Sequence, residues 1–235
     1  MSYYNDFRPT RFADVLGQEQ SLAILRKQAA SQAFHHSYLL FGPSGTGKTT
    51  TARILAAALN CTAMNGDGEP CGECPSCRAT MENRHWDVQE IDGARTRGIE
   101  DIKELCYRGY YAPFSAHKVY IIDECHQLTD PAWAALLKLL EEPPPHLVII
   151  LCTTDYNKIP DTIASRCQQY PFLRLSEDTI RVKLTKISEA VGMTSDAEHL
   201  ERVARIAKGS NGNMRSAENT LEQVHVLKRC QVSMM

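Results

Sequence analysis

Apolar residues recur along this chain with two different periods. Leu22, Ile24, Leu25 and Ala29 are spaced like one face of an amphipathic helix. Tyr38-Leu39-Leu40-Phe41 is instead a short unbroken run, which predicts a buried strand, and it ends abruptly in a Gly/Pro/Ser loop. Thr49 to Leu59 is Ala-rich and predicts a helix with Ile54, Leu55 and Leu59 on one face. Trp86 to Ile91 predicts a second strand, and Gly98 to Cys106 a helix carrying Ile99, Ile102 and Leu105. Lys118 to Ile122 is an apolar strand that ends at Asp123-Glu124. A helix follows from about Pro131, a residue suited to a first turn, through Leu140, where Pro143 to Pro145 stop it. Leu147 to Cys152 is another apolar strand. Short apolar strands alternating with helices predict an α/β domain: a parallel sheet with helices on both faces.

From Ser176 the pattern is helical only. Ser176 caps a helix running toward Val191, and Gly192 ends it. Ser195-Asp196-Ala197-Glu198 is a capping-box sequence opening a helix that stops near Gly209. Asn213 to Arg229 carries Met214, Ala217, Leu221, Val224 and Leu227 at helical spacing. The expected division is therefore an α/β domain over 1–175 and a small all-helical domain over 176–235, with no internal repeat or low-complexity tract.

Composition narrows the function classes. The 235 residues are 43% hydrophobic and 23% charged, which excludes disorder, collagen-like repeats and a disulfide-dense miniprotein. A net charge of -2 excludes a uniformly basic nucleic-acid binder, so any such contact must come from a local patch or from assembly with other chains. No apolar run approaches the roughly 18–20 residues of a membrane span. The opening MSYYNDFRPTRF has no signal-peptide stretch, which predicts a cytoplasmic protein. Of nine cysteines, Cys106, Cys125, Cys152, Cys167 and Cys230 are scattered singly, as expected of small buried hydrophobes in a reducing compartment.

Two clusters carry chemistry. Gly42-Pro43-Ser44-Gly45-Thr46-Gly47-Lys48-Thr49 fits the phosphate-loop pattern, between the strand and the helix that the pattern requires, with Thr50 opening the helix body. Backbone N–H groups can wrap a polyphosphate only where glycine removes Cβ clashes, and the helix that follows adds its positive end. Lys48 would reach the β/γ-phosphates and Thr49 would ligate Mg²⁺. Asp123, at the carboxyl end of a strand, would hold that Mg²⁺ largely through water, and Glu124 would orient the attacking water. His126 is assigned no role.

Cys61, Cys71, Cys74 and Cys77 form the second cluster, within a module of about 60–80. Four thiolates at this spacing suit tetrahedral Zn²⁺ in a structural site, with an iron–sulfur cluster or free or disulfide-linked cysteines as competing chemistries.

These features together resemble the gamma/tau family of bacterial DNA polymerase III clamp-loader motor subunits, which belongs to the AAA+ ATPases. The resemblance includes Arg8-Pro9, Phe12-Ala13-Asp14-Val15 and Gly17-Gln18-Glu19 before the loop, and His35-His36-Ser37-Tyr38-Leu39 leading into it. It continues through Ala135-Leu136-Leu137-Lys138, Leu140-Glu141-Glu142-Pro143-Pro144, Thr153-Thr154-Asp155 and Ser165-Arg166-Cys167. It implies an ATP-hydrolysing subunit of a hetero-oligomeric ring that opens a sliding clamp and loads it onto primer–template DNA, with ATP, Mg²⁺ and structural Zn²⁺ bound. Carried over by position, Thr154 is implied to sense the γ-phosphate. Arg166 is implied to be an arginine finger acting on a neighbouring subunit's ATP, and Arg215 a second sensor in a helical lid. The segment Arg8 to Gln18 is implied to close over the adenine, with Arg8 and Val15 touching nucleotide. Arg95, Arg97 and Lys103 match positions that track DNA phosphates. Gamma/tau chains continue into a third, helical collar domain, and this chain stops at Met235 where that domain would begin, implying a fragment or a naturally shortened form such as a viral one. The alternatives are a non-hydrolysing structural subunit of the delta-prime kind, or another AAA+ DNA-processing ATPase.

Overall fold

The computed structural model describes residues 2–64, 66–95, 98–193 and 196–232. In chain order it contains helices α1 (Tyr3–Asp6) and α2 (Glu19–Ser31), strand β1 (Ser37–Phe41), helices α3 (Lys48–Leu59) and α4 (Pro75–Met81), and strand β2 (Val88–Asp92). There follow α5 (Ile99–Gly109), β3 (Lys118–Asp123), α6 (Asp130–Glu141), β4 (Leu147–Thr153), α7 (Asp161–Ala164) and β5 (Gln168–Pro171). Helices α8 (Glu177–Ala190), α9 (Ala197–Gly209) and α10 (Met214–Val232) complete it.

The five strands form one parallel sheet in the order β2-β3-β4-β1-β5. Successive side chains along a strand point to opposite faces, so each apolar run feeds two cores. Tyr38, Leu40, Val119, Ile121, Val148 and Ile150 pack with Leu22, Leu25, Ile54 and Leu55 from α2 and α3. Leu39, Tyr120, Ile122, Ile149 and Leu151 pack with Ile102, Leu105, Leu136 and Leu139 from α5 and α6. Every residue of β4 is buried, as a strand covered on both faces must be. The carboxyl ends of β1, β3 and β4 lie side by side, with Leu40 beside Cys152 and Ile122 beside Leu151.

Helices α8 to α10 bury their own cluster, including Ile180, Leu184, Val203, Ile206, Ala217 and Leu221, and Tyr3 of α1 packs into it from the far end of the chain. No described helix is long and apolar enough to cross a membrane.

Several sequence expectations are corrected. Trp86 lies before β2 and is 90% exposed, so its bulk does not mark the strand, which begins at Val88. Ile24 and Leu227, placed above on apolar helix faces, are exposed. Helix α9 is capped by Asp196, whose side chain accepts the His199 N–H; Ser195 lies outside the described residues, and Glu198 pairs forward with Arg202. Strand β5 was not predicted: only Tyr170 of its four residues is buried, so an edge strand left no apolar run to detect. Helices α1, α4 and α7 are too short for a periodic signal.

Candidate nucleotide site and cysteine cluster

The loop between β1 and α3 is shaped by contacts as well as by its glycines. Gly42 has φ +143°, and a Cβ there would fall 2.0 Å from the Phe172 carbonyl oxygen. At Gly45, φ +72°, it would fall 1.9 Å from Oδ1 of Asn213, just before α10. Met214 N–H donates to the Gly45 carbonyl at 3.0 Å, so the loop is fastened to the helical region. The Lys48 Nζ donates to the carbonyls of Gly42 (2.7 Å) and Pro43 (2.8 Å). Burial lowers the Lys48 pKa, against the raising fields of Cys152, Glu124 and Asp123.

Beside the loop, Thr49 Oγ1 donates to Asp123 Oδ2 at 2.7 Å, bringing together the two residues expected to hold Mg²⁺. Burial raises the Asp123 pKa, which the hydrogen bonds from Thr49 and from Glu124 N–H oppose. A divalent cation would supply the charge that this desolvated carboxylate lacks. Glu124 sits at φ 46°, a left-handed conformation that an L residue adopts at some energetic cost. The turn aims its carboxylate at Thr154, whose Oγ1 donates to Glu124 Oε2 at 2.7 Å. His126 Nδ1 lies 3.3 Å from the same oxygen, and its ring is nearly buried. His126 is therefore a neighbour of Glu124 that the sequence reading left without a role.

Asp123 and Glu124 line a cavity of about 320 Å³ that runs from Ser44–Thr50 to Tyr4, Arg8, Pro9, Val15 and Leu16 on one side, whereas Gly42, Pro43, Thr154 and His126 are not in its lining. Leu175, Lys183, Met214, Arg215 and Glu218 complete it. The end away from the loop mixes apolar Pro9, Val15, Leu16, Leu175 and Met214 with charged Arg8, Lys183, Arg215 and Glu218. Arg8 and Arg215 stack their guanidinium groups on the ring of Tyr4, at 4.5 and 4.4 Å from its centroid. An Nη of Arg215 also donates to the Tyr4 hydroxyl at 2.6 Å. Nε and Nη1 of Arg8 are buried without a hydrogen-bond partner. Two unused donors at a cavity wall fit a polar or anionic ligand. Glu218 is 4% exposed, and burial pushes its pKa up to about 7, against the cations Lys183, Arg8 and Arg215.

Tyr4, Lys183, Met214 and Glu218 were missed by sequence reasoning. Once Arg215 is singled out, Glu218 is accessible by helical spacing three positions on, and Met214 lies four before Glu218 on the same face. Tyr4 and Lys183 give no such signal.

Other predicted residues stand apart from the cavity. Arg166 donates to the Thr162 carbonyl and to Glu141 Oε1, each at 2.7 Å, and does not line the cavity within its own chain. Arg95 and Lys103 are exposed. Arg95 borders a groove with Asp92, Asp101, Glu104 and Arg108, so its surroundings carry both signs of charge. Arg97 lies outside the described residues.

The four clustered cysteines converge, their sulfur atoms all within 4.8 Å of one another. The N–H groups of Cys71, Cys74 and Cys77 donate to the sulfurs of Cys61, Cys71 and Cys74 at 3.3–3.4 Å. For Cys74, burial raises the thiol pKa, but the backbone N–H groups of Cys77 and Thr62 outweigh it and bring it down to about 6. Burial pushes Cys77 the other way. Four converging sulfurs with backbone donors aimed at them fit a tetrahedral metal, and this Cys₄ set could bind zinc.

A five-stranded parallel sheet with a phosphate loop at its carboxyl edge is a P-loop fold of the AAA+ kind. Thermotoga maritima RuvB, described as a Holliday junction branch migration motor, shares it with a TM-score of 0.68 at 18% identity, over 93% of this chain and 65% of that one.

A family model described as DNA polymerase III, delta subunit matches residues 17–176, and the chain belongs to that family of DNA polymerase III subunits. Bacillus subtilis DNA polymerase III subunit tau is 43% identical over 227 residues, 95% of this chain and 40% of that protein. The Escherichia coli subunit tau is 42% identical over 205 residues, 87% and 32% respectively. Mycoplasma pneumoniae subunit gamma/tau is 41% identical over 224 residues, 94% and 32%. The chain thus spans between 32% and 40% of the length of these three relatives.

Proposed function

We propose that this chain is the ATP-binding and ATP-hydrolysing part of a clamp-loader motor subunit, which opens a sliding clamp and loads it onto primer–template DNA. The observation that carries the reading is the constellation along one sheet edge: Lys48, Thr49, Asp123 and Glu124 open to one cavity, and Thr154 holds the Glu124 carboxylate from behind it. In this reading the loop amides and Lys48 hold the β- and γ-phosphates. Mg²⁺ held by Thr49 and Asp123 would neutralise phosphate charge. Glu124 orients the attacking water, and Thr154 fixes that carboxylate and registers the γ-phosphate. Tyr4, Arg8, Val15 and Leu16 face the base, and Arg215 carries the state of the nucleotide into α10. Residues 1–175 act as the nucleotide-binding unit and 176–235 as its lid.

Arg166 acts in trans in this proposal: it leaves Glu141 to meet the ATP of a neighbouring subunit in a hetero-oligomeric ring. Arg95 and Lys103 contact DNA phosphates. The Cys₄ set holds structural zinc.

The delta-subunit description of the matching family model favours a second reading, a structural subunit without hydrolysis. The complete water-orienting pair Glu124–Thr154 weighs against it, because a subunit that does not hydrolyse has no use for one. ATP turnover measured with partner subunits, clamp and primer–template DNA separates the two. Stimulation by clamp and DNA together, lost in Glu124→Gln, supports the motor. Turnover unchanged by that substitution assigns hydrolysis to the other subunits.

A further inference from the structure

A fully buried carboxylate links the cysteine cluster to the nucleotide cavity. Glu69 is 0% exposed and lies in the cysteine loop, two positions before Cys71. Its Oε2 accepts the Phe12 N–H at 2.7 Å, and its Oε1 accepts the Ala13 N–H at 3.0 Å. Those donors open the 3₁₀ turn Phe12–Asp14, at which Arg11 supplies no side-chain cap. Glu69 therefore caps, from a distant part of the chain, a turn that its own sequence leaves uncapped. The turn ends at Val15, which with Leu16 lines the cavity wall; Val15 Cγ1 would lie 3.5 Å from a Cβ on Gly47 of the phosphate loop.

The other end of this connection is equally fixed. Arg26 of α2 lies 3.3 Å from Glu69 Oε1 and also binds the Asp67 carboxylate and carbonyl, each at 2.9 Å. A Cβ on Gly68, φ +82°, would fall 2.1 Å from the Arg26 carbonyl oxygen, so residues 67–69 lie directly on α2. From there the chain runs through buried Pro70 to Cys71, whose N–H donates to Cys61 Sγ at 3.4 Å.

We propose that Glu69 is a positioning residue through which metal occupancy of the Cys₄ cluster sets the shape of the nucleotide pocket. Metal binding fixes Cys71, and with it the backbone that aims Glu69. Glu69 then holds the turn that presents Val15 and Leu16 to the base. The cysteine module, beyond stapling its own loop, is a remote wall of the ATP site. This inference rests on the nucleotide-site reading above and adds to it a dependence that the reading alone does not require.

The test is a cycle of two changes, read by equilibrium titration with a fluorescent ATP analogue on the full chain. Metal is stripped with a chelator under conditions where the far-UV circular dichroism is retained, and Glu69→Gln keeps the volume but replaces one acceptor oxygen with a donor. Zinc removal is expected to weaken analogue binding about tenfold in the parent, a size typical of coupling between sites. In Glu69→Gln the analogue binds weakly with zinc present, and stripping the metal changes affinity less than about twofold. Hydrogen exchange at Phe12 and Ala13 should accelerate in both cases. Equal effects of stripping in parent and variant, or unaltered affinity in zinc-loaded Glu69→Gln, would overturn the proposal while leaving the nucleotide site standing. A zinc-loaded parent that does not bind the analogue removes both readings. If Glu69→Gln does not fold, Arg26→Gln, which loosens Glu69 from α2, is put through the same cycle with the same expectations.

Discussion

The phosphate loop and the cysteine loop are both rich in glycine, yet glycine does different work in each. In the phosphate loop, Gly42 and Gly45 combine positive φ with neighbours about 2 Å from any added Cβ, so the surrounding protein already dictates the loop's shape. In the cysteine loop, Gly72 has φ +75° with nothing within 4 Å, and Gly66 also faces open space. At those two positions nothing packs against the backbone, and the cysteines are joined by sulfur contacts and the N–H groups aimed at them. One site is moulded by a core; the other brings its sulfurs together beside glycines that meet no neighbour. Gly68 is the exception that joins them, because it is where the cysteine loop lies against α2.

The largest effect should come from Lys48→Ala. Removing the ammonium from the loop should weaken ATP binding by at least about a hundredfold, read by calorimetric titration, while zinc content stays unchanged. Undiminished affinity would mean that the loop does not hold phosphate. Next, Cys77→Ser should reduce bound zinc from about one equivalent to a small fraction and lower stability by about 3 kcal/mol, because a metal site made on folding contributes folding free energy. Elemental analysis and urea unfolding check it, and a fully loaded, equally stable variant would show that the loop closes without metal.

The glycine contrast is itself testable. Gly42→Ala should destabilise by more than about 3 kcal/mol or abolish nucleotide binding, since backbone must move. Gly72→Ala should lose only about 1–2 kcal/mol, the strain of a left-handed L residue. Similar losses in thermal unfolding would erase the distinction.

A smaller effect concerns Glu218, whose carboxyl is raised from 4.5 to about 7 by burial. Between those values the folded chain keeps a proton that the unfolded chain has released, so stability should fall as pH rises through the window and stay low above it. Glu218→Gln should flatten that slope and raise stability at pH 8 by about 1–3 kcal/mol. An unchanged pH profile of urea unfolding would exclude the buried carboxylate as its source.

Much of this was readable in advance because it is local. The runs that became β1, β3 and β4 are continuous and apolar since both faces are covered, and the phosphate loop needs its glycines at fixed offsets. The same reasoning failed where burial is partial. Trp86 reads as strand and is exposed, while Gln168–Pro171 carries no strand pattern and is strand, since an edge needs neither bulk nor alternation. Nothing local marks His126, which the turn at Glu124 puts beside the carboxylate.

The sequence by itself determined the parallel sheet, the phosphate loop, the acidic pair at the end of β3 and the cluster of four cysteines, because each is a short-range pattern of residue type and spacing. Only the tertiary structure decided that Arg8 and Arg215 both lie over the Tyr4 ring, that Glu218 faces the cavity, and that Glu69 caps the turn before Val15. Those contacts join residues far apart in the chain. Their energies come from burial and from hydrogen bonds completed across elements, and no local pattern records which distant partner will complete them.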